Sequence, residues 1–163
     1  MAIIVKKFGG SSVSSISKLK NIAKQILAEN NSKNNILIVL SAMGNTTDKL
    51  VAMSKKASKS PNPKDYDMLL STGEQISVSL LSMILNDLGV DATSLTGWQA
   101  GIRTDSENMA ARISNIDTKR IKLEFSKSRI VVVAGFQGID SRKNITTLGR
   151  GGSDTTAVAL AAA

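Results

Sequence analysis

Aliphatic runs and helical periodicity alternate along this chain. Ala2-Ile3-Ile4-Val5 is apolar throughout and reads as a buried strand. Ile16, Leu19, Ala23, Ile26 and Leu27 then recur at helical spacing. The polar run from Glu29 to Asn35 predicts a turn, and Ile36-Leu37-Ile38-Val39-Leu40 a second strand. Nothing polar interrupts that second run, so both of its faces need cover, as in a parallel sheet between helices. Thr46 or Thr47 is placed to cap a helix carrying Leu50, Val51 and Ala57. Ser60-Pro61-Asn62-Pro63 breaks the pattern, because each proline disfavours helix before it. A long helix is predicted from about Met68 to Leu88, with Ile76, Leu80, Leu81, Ile84 and Leu88 on one face and Gly89 as its stop. Ala92 to Leu95 and Ile130 to Ala134 supply further strands. This alternation predicts an α/β fold, a three-layer α/β/α sandwich on a mainly parallel sheet.

Composition narrows the class. The 163 residues are 42% hydrophobic and 3% aromatic, so the core must be aliphatic. No run approaches the roughly 20 apolar residues of a membrane span, and Ala2 to Val5 is too short for a signal-peptide core, so a cytoplasmic protein without membrane partners is expected. With no cysteine and no histidine, disulfides, thiolate metal sites and the commonest general base are excluded. The net charge of +8 raises nucleic acid as a partner. The basic residues are dispersed, however, and the loose groups at Lys55-Lys56-Lys59 and Lys119 to Arg129 lack interleaved aromatics for base stacking. Solvated helix faces explain them, and no nucleic-acid partner is expected.

Two glycine-rich segments carry the candidate chemistry. Thr147-Leu148-Gly149-Arg150-Gly151-Gly152-Ser153-Asp154-Thr155-Thr156-Ala157 runs into an alanine-rich helical stretch. Glycines allow close backbone approach, a helix start favours anions, and Arg150 can fork onto a carboxylate or phosphate. The same run also fits a solvent loop with Ser153 or Asp154 as an ordinary N-cap. Lys6-Lys7-Phe8-Gly9-Gly10-Ser11-Ser12 has the strand, turn and helix-start layout of a phosphate cradle. It is neither a P-loop, since the lysine precedes the glycines, nor a dinucleotide fingerprint. Ligands of open α/β sheets gather at the carboxyl ends of strands. The loops at Lys7 to Gly10, Ser41 to Thr47 and Gly135 to Gly138 are therefore expected on one rim.

Six ordered motifs give the chain a family resemblance. Lys7-Phe8-Gly9-Gly10-Ser11-Ser12-Val13 resembles the opening signature of the aspartate kinases, within the amino-acid kinase family. Ser41-Ala42-Met43-Gly44-Asn45-Thr46-Thr47-Asp48-Lys49-Leu50 and Met68-Leu69-Leu70-Ser71-Thr72-Gly73-Glu74-Gln75-Ile76-Ser77 resemble the second and third motifs. Gly97 to Ile102, Val133 to Gly138 and Thr147 to Ala163 continue the match in order. The resemblance implies phosphorylation of the β-carboxylate of L-aspartate by ATP, with Mg2+ carried by the nucleotide. It places Lys7, Phe8, Gly9, Gly10 and Ser41 around the phosphates. Asp154 would orient Lys7, these two being the catalytic pair. Arg150 would clamp the α-carboxylate of aspartate and Glu74 would accept its ammonium. Thr47 would add a hydrogen bond, with Gly151, Gly152 and Ser153 beside the substrate. A homo-oligomer is also implied.

Aspartate kinases continue beyond the point matched by Ala163, so residues 1–163 are expected to be the N-terminal part of one kinase domain, without its nucleotide half or regulatory domains. Other expectations remain open beside this one: a kinase of another small acid, or a chain that binds ligand or pairs with a longer subunit without turnover.

Overall fold

The structure, a computed structural model, describes residues 2–30 and 34–163. Its centre is a parallel sheet with the order β1-β2-β6-β3, formed by β1 (Ala2–Phe8), β2 (Asn34–Leu40), β3 (Ala92–Leu95) and β6 (Ile130–Ala134). The strands pair in register, Phe8 with Leu40, Leu40 with Ala134 and Leu95 with Val133, so their carboxyl ends meet on one rim. Strand alternation sorts the core into two halves. Ile36, Ile38, Leu40, Val132 and Ala134 pack with α1 (Ile16–Glu29) and α3 (Pro63–Asp87). Leu37, Val39, Val131 and Val133 pack with α4 (Lys119–Ser126) and α5 (Gly152–Ala162). The result is the expected three-layer α/β/α sandwich. Each fully buried aliphatic side chain contributes roughly 1.5–3 kcal/mol to it.

The strand expected at Ala2 to Val5 is longer and less buried. It runs to Phe8 and forms the sheet edge, where Ile3 and Ile4 are exposed. Alternation then sends its two lysines to opposite faces: Lys6 pairs with Glu29 of α1, and Lys7 with Asp154 of α5. The turn expected from Glu29 to Asn35 falls partly on residues 31–33, outside the described residues. Ile16 and Leu27 of α1 are exposed, while Leu19, Ile22, Ala23 and Ile26 are buried.

Three helix starts differ from expectation. Neither Thr46 nor Thr47 caps α2 (Thr46–Ala57); Asn45 holds the cap position, and the Thr46 hydroxyl donates back to the Met43 carbonyl at 2.6 Å. α3 begins at Pro63, five residues before Met68. Asn62 accepts the Lys64 N–H at 3.0 Å, and proline suits the first helical position, where no N–H is needed. The buried face of α3 is also rotated from the aliphatic stripe. Ile76 and Leu88 are exposed, and Leu70, Ser71, Gly73, Glu74, Ser77, Val78, Leu81, Ser82 and Leu85 face inward. The serines can be buried because their hydroxyls bond nearby carbonyls, as Ser77 does to Ser41 at 2.8 Å. Gly89 ends α3 with φ of 80°, and Val90 N–H returns to the Leu85 carbonyl at 3.0 Å. The third start, that of α5, belongs to the site.

One helix contradicts the expectation that no segment resembles a membrane span. α3 contains an 18-residue window of mean hydropathy 1.4. Half of that window is buried inside the fold, so the helix reads as a core element.

A second small sheet has no forerunner in the sequence pattern. Its order is β5-β4-β7-β8, from β4 (Ile102–Thr104), β5 (Ile113–Ile116), β7 (Gln137–Ile139) and β8 (Ile145–Thr147). β7 continues from β6 through Gly135-Phe136, and β8 leads into α5, so this sheet frames the rim of the large one.

Candidate active site

On that rim, β1, β2 and β6 hand over to loops that surround one cavity of about 340 Å³. Lys7 lines it from the end of β1 and Gly10 from the loop after it, with Ser41, Ala42 and Gly44 from the second loop and Thr47 from the start of α2. Phe136 joins from the loop after β6, Glu74 from α3, and Gly149 with Gly151 to Asp154 from the start of α5. Two contacts fix the first two loops together. Gly44 N–H bonds the Gly10 carbonyl at 3.0 Å, and a Cβ on Gly10 would stand 2.9 Å from the Ala42 carbonyl oxygen.

The start of α5 has no side-chain cap and turns on a left-handed glycine. Its N-cap is Gly151, with φ of 73°, a conformation that costs other residues about 1 kcal/mol or more. No side chain caps the helix, so neither Ser153 nor Asp154 fills the cap role; both sit in the first turn. Gly152 N–H turns back to the Gly149 carbonyl at 3.1 Å, which leaves the Ser153 and Asp154 N–H groups without a helical acceptor at the cavity edge. Lys7 Nζ lies 2.9 Å from Asp154 Oδ1 at its edge. Both side chains are partly exposed, so the pair contributes at most about 1 kcal/mol to stability. What it does is hold a lysine ammonium beside the helix start.

Across the cavity, Glu74 is 3% exposed. Its Oε1 accepts the Ala42 N–H at 3.1 Å, and its Oε2 is buried without a partner among the described residues. Burial pushes its carboxyl up from 4.5 to about 7, against smaller opposing pulls from its own backbone N–H and that of Ala42. Gly73 makes this placement possible. A Cβ there would come within 2.9 Å of the Ala42 methyl, so only glycine lets α3 approach the second loop closely enough. A buried carboxylate with a free oxygen is a receptor for a cation such as an ammonium group.

The structure gathers Lys7, Gly10, Ser41, Thr47, Glu74, Gly151, Gly152, Ser153 and Asp154 around this space. It does not bring in three other candidates. The Phe8 side chain packs against the core under α1, Gly9 lies beneath Lys7 Nζ, and Arg150 is exposed outside the lining. Ala42, Gly44, Phe136 and Gly149 line the cavity without having been singled out. All four lie in the motifs quoted above, and the signal for Phe136 is its φ of 70°, which sequence cannot display.

A parallel sheet with this cavity on its carboxyl rim defines a class, and the chain belongs to the amino acid kinase family, which it matches over residues 2–163. Its relatives within that family are aspartokinases. It is 55% identical over 163 residues to the aspartokinase of Bacillus sp. (strain MGA3) and 54% identical to aspartokinase 2 of Bacillus subtilis (strain 168). Both alignments take in all of this chain and 40% of the relative, so the chain spans about two fifths of the curated relatives it matches. Among solved structures it resembles aspartate kinase from Synechocystis, with TM-score 0.80 and 44% identity over 99% of this chain and 26% of that one. It also resembles E. coli aspartokinase III in complex with aspartate and ADP, with TM-score 0.83 and 25% identity over 99% of this chain and 46% of that one.

Proposed function

We propose that this chain is the amino-acid- and phosphate-holding part of an aspartate kinase. The reading is that a β-carboxylate oxygen of L-aspartate attacks the γ-phosphorus of MgATP. The bond to the β,γ-bridging oxygen breaks, giving 4-phospho-L-aspartate and ADP, the opening step of lysine, threonine and methionine synthesis. The observation that carries it is the opposition, across one cavity, of a cationic helix start and a buried anionic receptor. Aspartate has an ammonium for Glu74 and carboxylates for the other side. The nucleophile is already ionised at neutral pH, so a chain without histidine needs no general base.

In this reading Lys7 stabilises charge on the transferring group, with Gly10, Ser41 and the start of α5 supplying donors. Asp154 keeps Lys7 in place. Arg150, at the head of the turn leading into α5, closes on the α-carboxylate when the amino acid arrives. Among the described residues no group of three or more acids, cysteines or histidines is assembled for a metal. One carboxylate, Asp154, suits Mg2+ that arrives on the nucleotide and neutralises phosphate charge.

A cytoplasmic homo-oligomer completes the proposal. Exposed Met68, Ile76 and Met83 lie along α3, and between Met68 and Asn86 its only charged residue is the buried Glu74. Such a face can pack on its own copy. Because the chain covers 40% of its relatives, the 163 residues alone are read as binding the amino acid without turnover.

The test is aspartate-dependent ADP release with MgATP by the full-length protein, beside Lys7→Ala. The expected loss in the variant is on the order of 1,000-fold in kcat. Turnover with another small acid but not with aspartate would sink the reading.

A further inference from the structure

Seven residues before Glu74 on α3 lies Asp67, fully buried and outside the cavity lining. Among the described residues no lysine or arginine pairs with it. Neutral donors meet its charge instead. Oδ2 accepts from Asn108 Nδ2 at 2.8 Å, from Met109 N–H at 3.0 Å and from Thr147 N–H at 3.1 Å. Oδ1 accepts from the Thr147 hydroxyl at 2.7 Å and from Met109 N–H at 3.2 Å. An apolar residue could join helix to strand without burying a charge. Only a multidentate acceptor can bind two separate segments to the helix with fixed geometry.

Both segments lead to the amino-acid side of the cavity. Thr147 ends β8, its carbonyl accepts the Ala111 N–H at 2.9 Å, and Leu148 N–H bonds the Phe136 carbonyl at 2.9 Å. The Gly149–Gly152 turn, which carries Arg150, starts from that anchor. Met109 adopts φ of 66°, unusual for a side-chain-bearing residue, and a Cβ on Gly149 would stand 3.2 Å from its carbonyl oxygen. The base of the turn is thus gripped from two sides, and one carboxylate bonds both.

We propose that Asp67 is a positioning residue for the amino-acid substrate. Acting through Thr147 and Met109, it fixes the Gly149–Gly152 turn relative to Glu74, which lies two helical turns, roughly 10 Å, from Asp67 along α3. It sets affinity for the amino acid without touching it. This inference rests on the aspartate kinase reading of the cavity.

The experiment is steady-state kinetics of the full-length protein with Asp67→Asn, Thr147→Val and Thr147→Ser. Thr147→Val removes one hydroxyl donor and nothing else. It is expected to raise KM for aspartate about tenfold, the loss of one hydrogen bond to a charged group. KM for MgATP and kcat stay within about twofold, and Thr147→Ser restores the wild-type value. Asp67→Asn, which turns an NH2 group toward N–H donors, gives the same split with a larger rise. An unchanged KM for aspartate in folded Thr147→Val, or equal rises in both KM values, overturns the proposal. Where Asp67→Asn does not fold, the Thr147 pair decides alone. If the wild type turns over a different small acid, the aspartate reading fails, and Asp67 is judged by the same split in KM for that acid.

Discussion

Glu74 and Glu124 are both carboxylates almost closed off from water, on helices that cover opposite faces of one sheet, and their surroundings are reversed. Glu124 is answered completely. Arg120 Nε reaches it at 2.7 Å and Arg129 Nη1 at 3.1 Å, with Lys127 Nζ at 3.8 Å. Burial pushes its carboxyl up, but the hydrogen bonds from Arg129 and Arg120 and the nearby positive charges outweigh this and hold it below the usual range. Glu74 has only backbone N–H groups, its own and that of Ala42, and among the described residues no cation, so burial wins. The scaffold finishes its electrostatics internally, whereas the rim leaves one acid unfinished. Under the proposed function, that is how a binding group differs from a structural one when both look equally buried.

The comparison breaks most visibly if Glu74 is neutralised. Glu74→Gln is expected to lower kcat/KM for aspartate roughly 100-fold or more, mostly through KM, while the melting temperature holds or rises. Kinetics beside thermal melts check both halves, and a variant that binds aspartate normally would refute the contrast. Next comes pH. Glu74 holds a proton in the folded state up to about 7, against 4.5 when unfolded. Its favourable contribution is therefore complete below about 4.5 and lost as pH rises through about 7, by roughly 3 kcal/mol. Urea titrations across that window should show wild type losing stability relative to Glu74→Gln. KM for aspartate should rise as pH falls below about 7, because the ammonium needs the ionised acid.

Glu124→Gln should do the reverse of Glu74→Gln. It is expected to cost about 1–2 kcal/mol in denaturant unfolding, because an amide NH2 then faces Arg129, and to leave kcat/KM unchanged. Smallest is Lys127→Ala, the longest contact of the cluster and about half exposed, expected within about 0.5 kcal/mol of wild type. A larger effect there would mean that the Glu124 cluster is balanced more finely than its geometry implies.

What the sequence displayed follows the physics of each element. The strands at Ile36–Leu40 and Ile130–Ala134 were legible because a sheet covered on both faces demands unbroken aliphatic runs. Their parallel pairing then put the motif loops on one rim. The inward face of α3 was not legible, since serines, a glycine and two acids carry no hydrophobic signal, although tertiary hydrogen bonds make them core. Strands of three or four residues, such as Gln137–Ile139, are too short for period-two alternation to register. Gly151 as a helix cap was hidden behind two better capping residues, because its role depends on φ rather than on a side chain. Asp67 stood next to a recognised motif, yet its partners lie about 40 and 80 positions away.

α3 also bears on how this protein can change length over evolution. Adding or deleting one residue between Asp67 and Glu74 would swing one acid by about 100° around the helix axis, off its partners. Gain and loss of residues should therefore collect in the connection near Ser58 to Asn62, where the chain is largely exposed and lies outside both flanking helices. Homologous chains aligned here should differ in the spacer before the helix and keep the interval within it invariant.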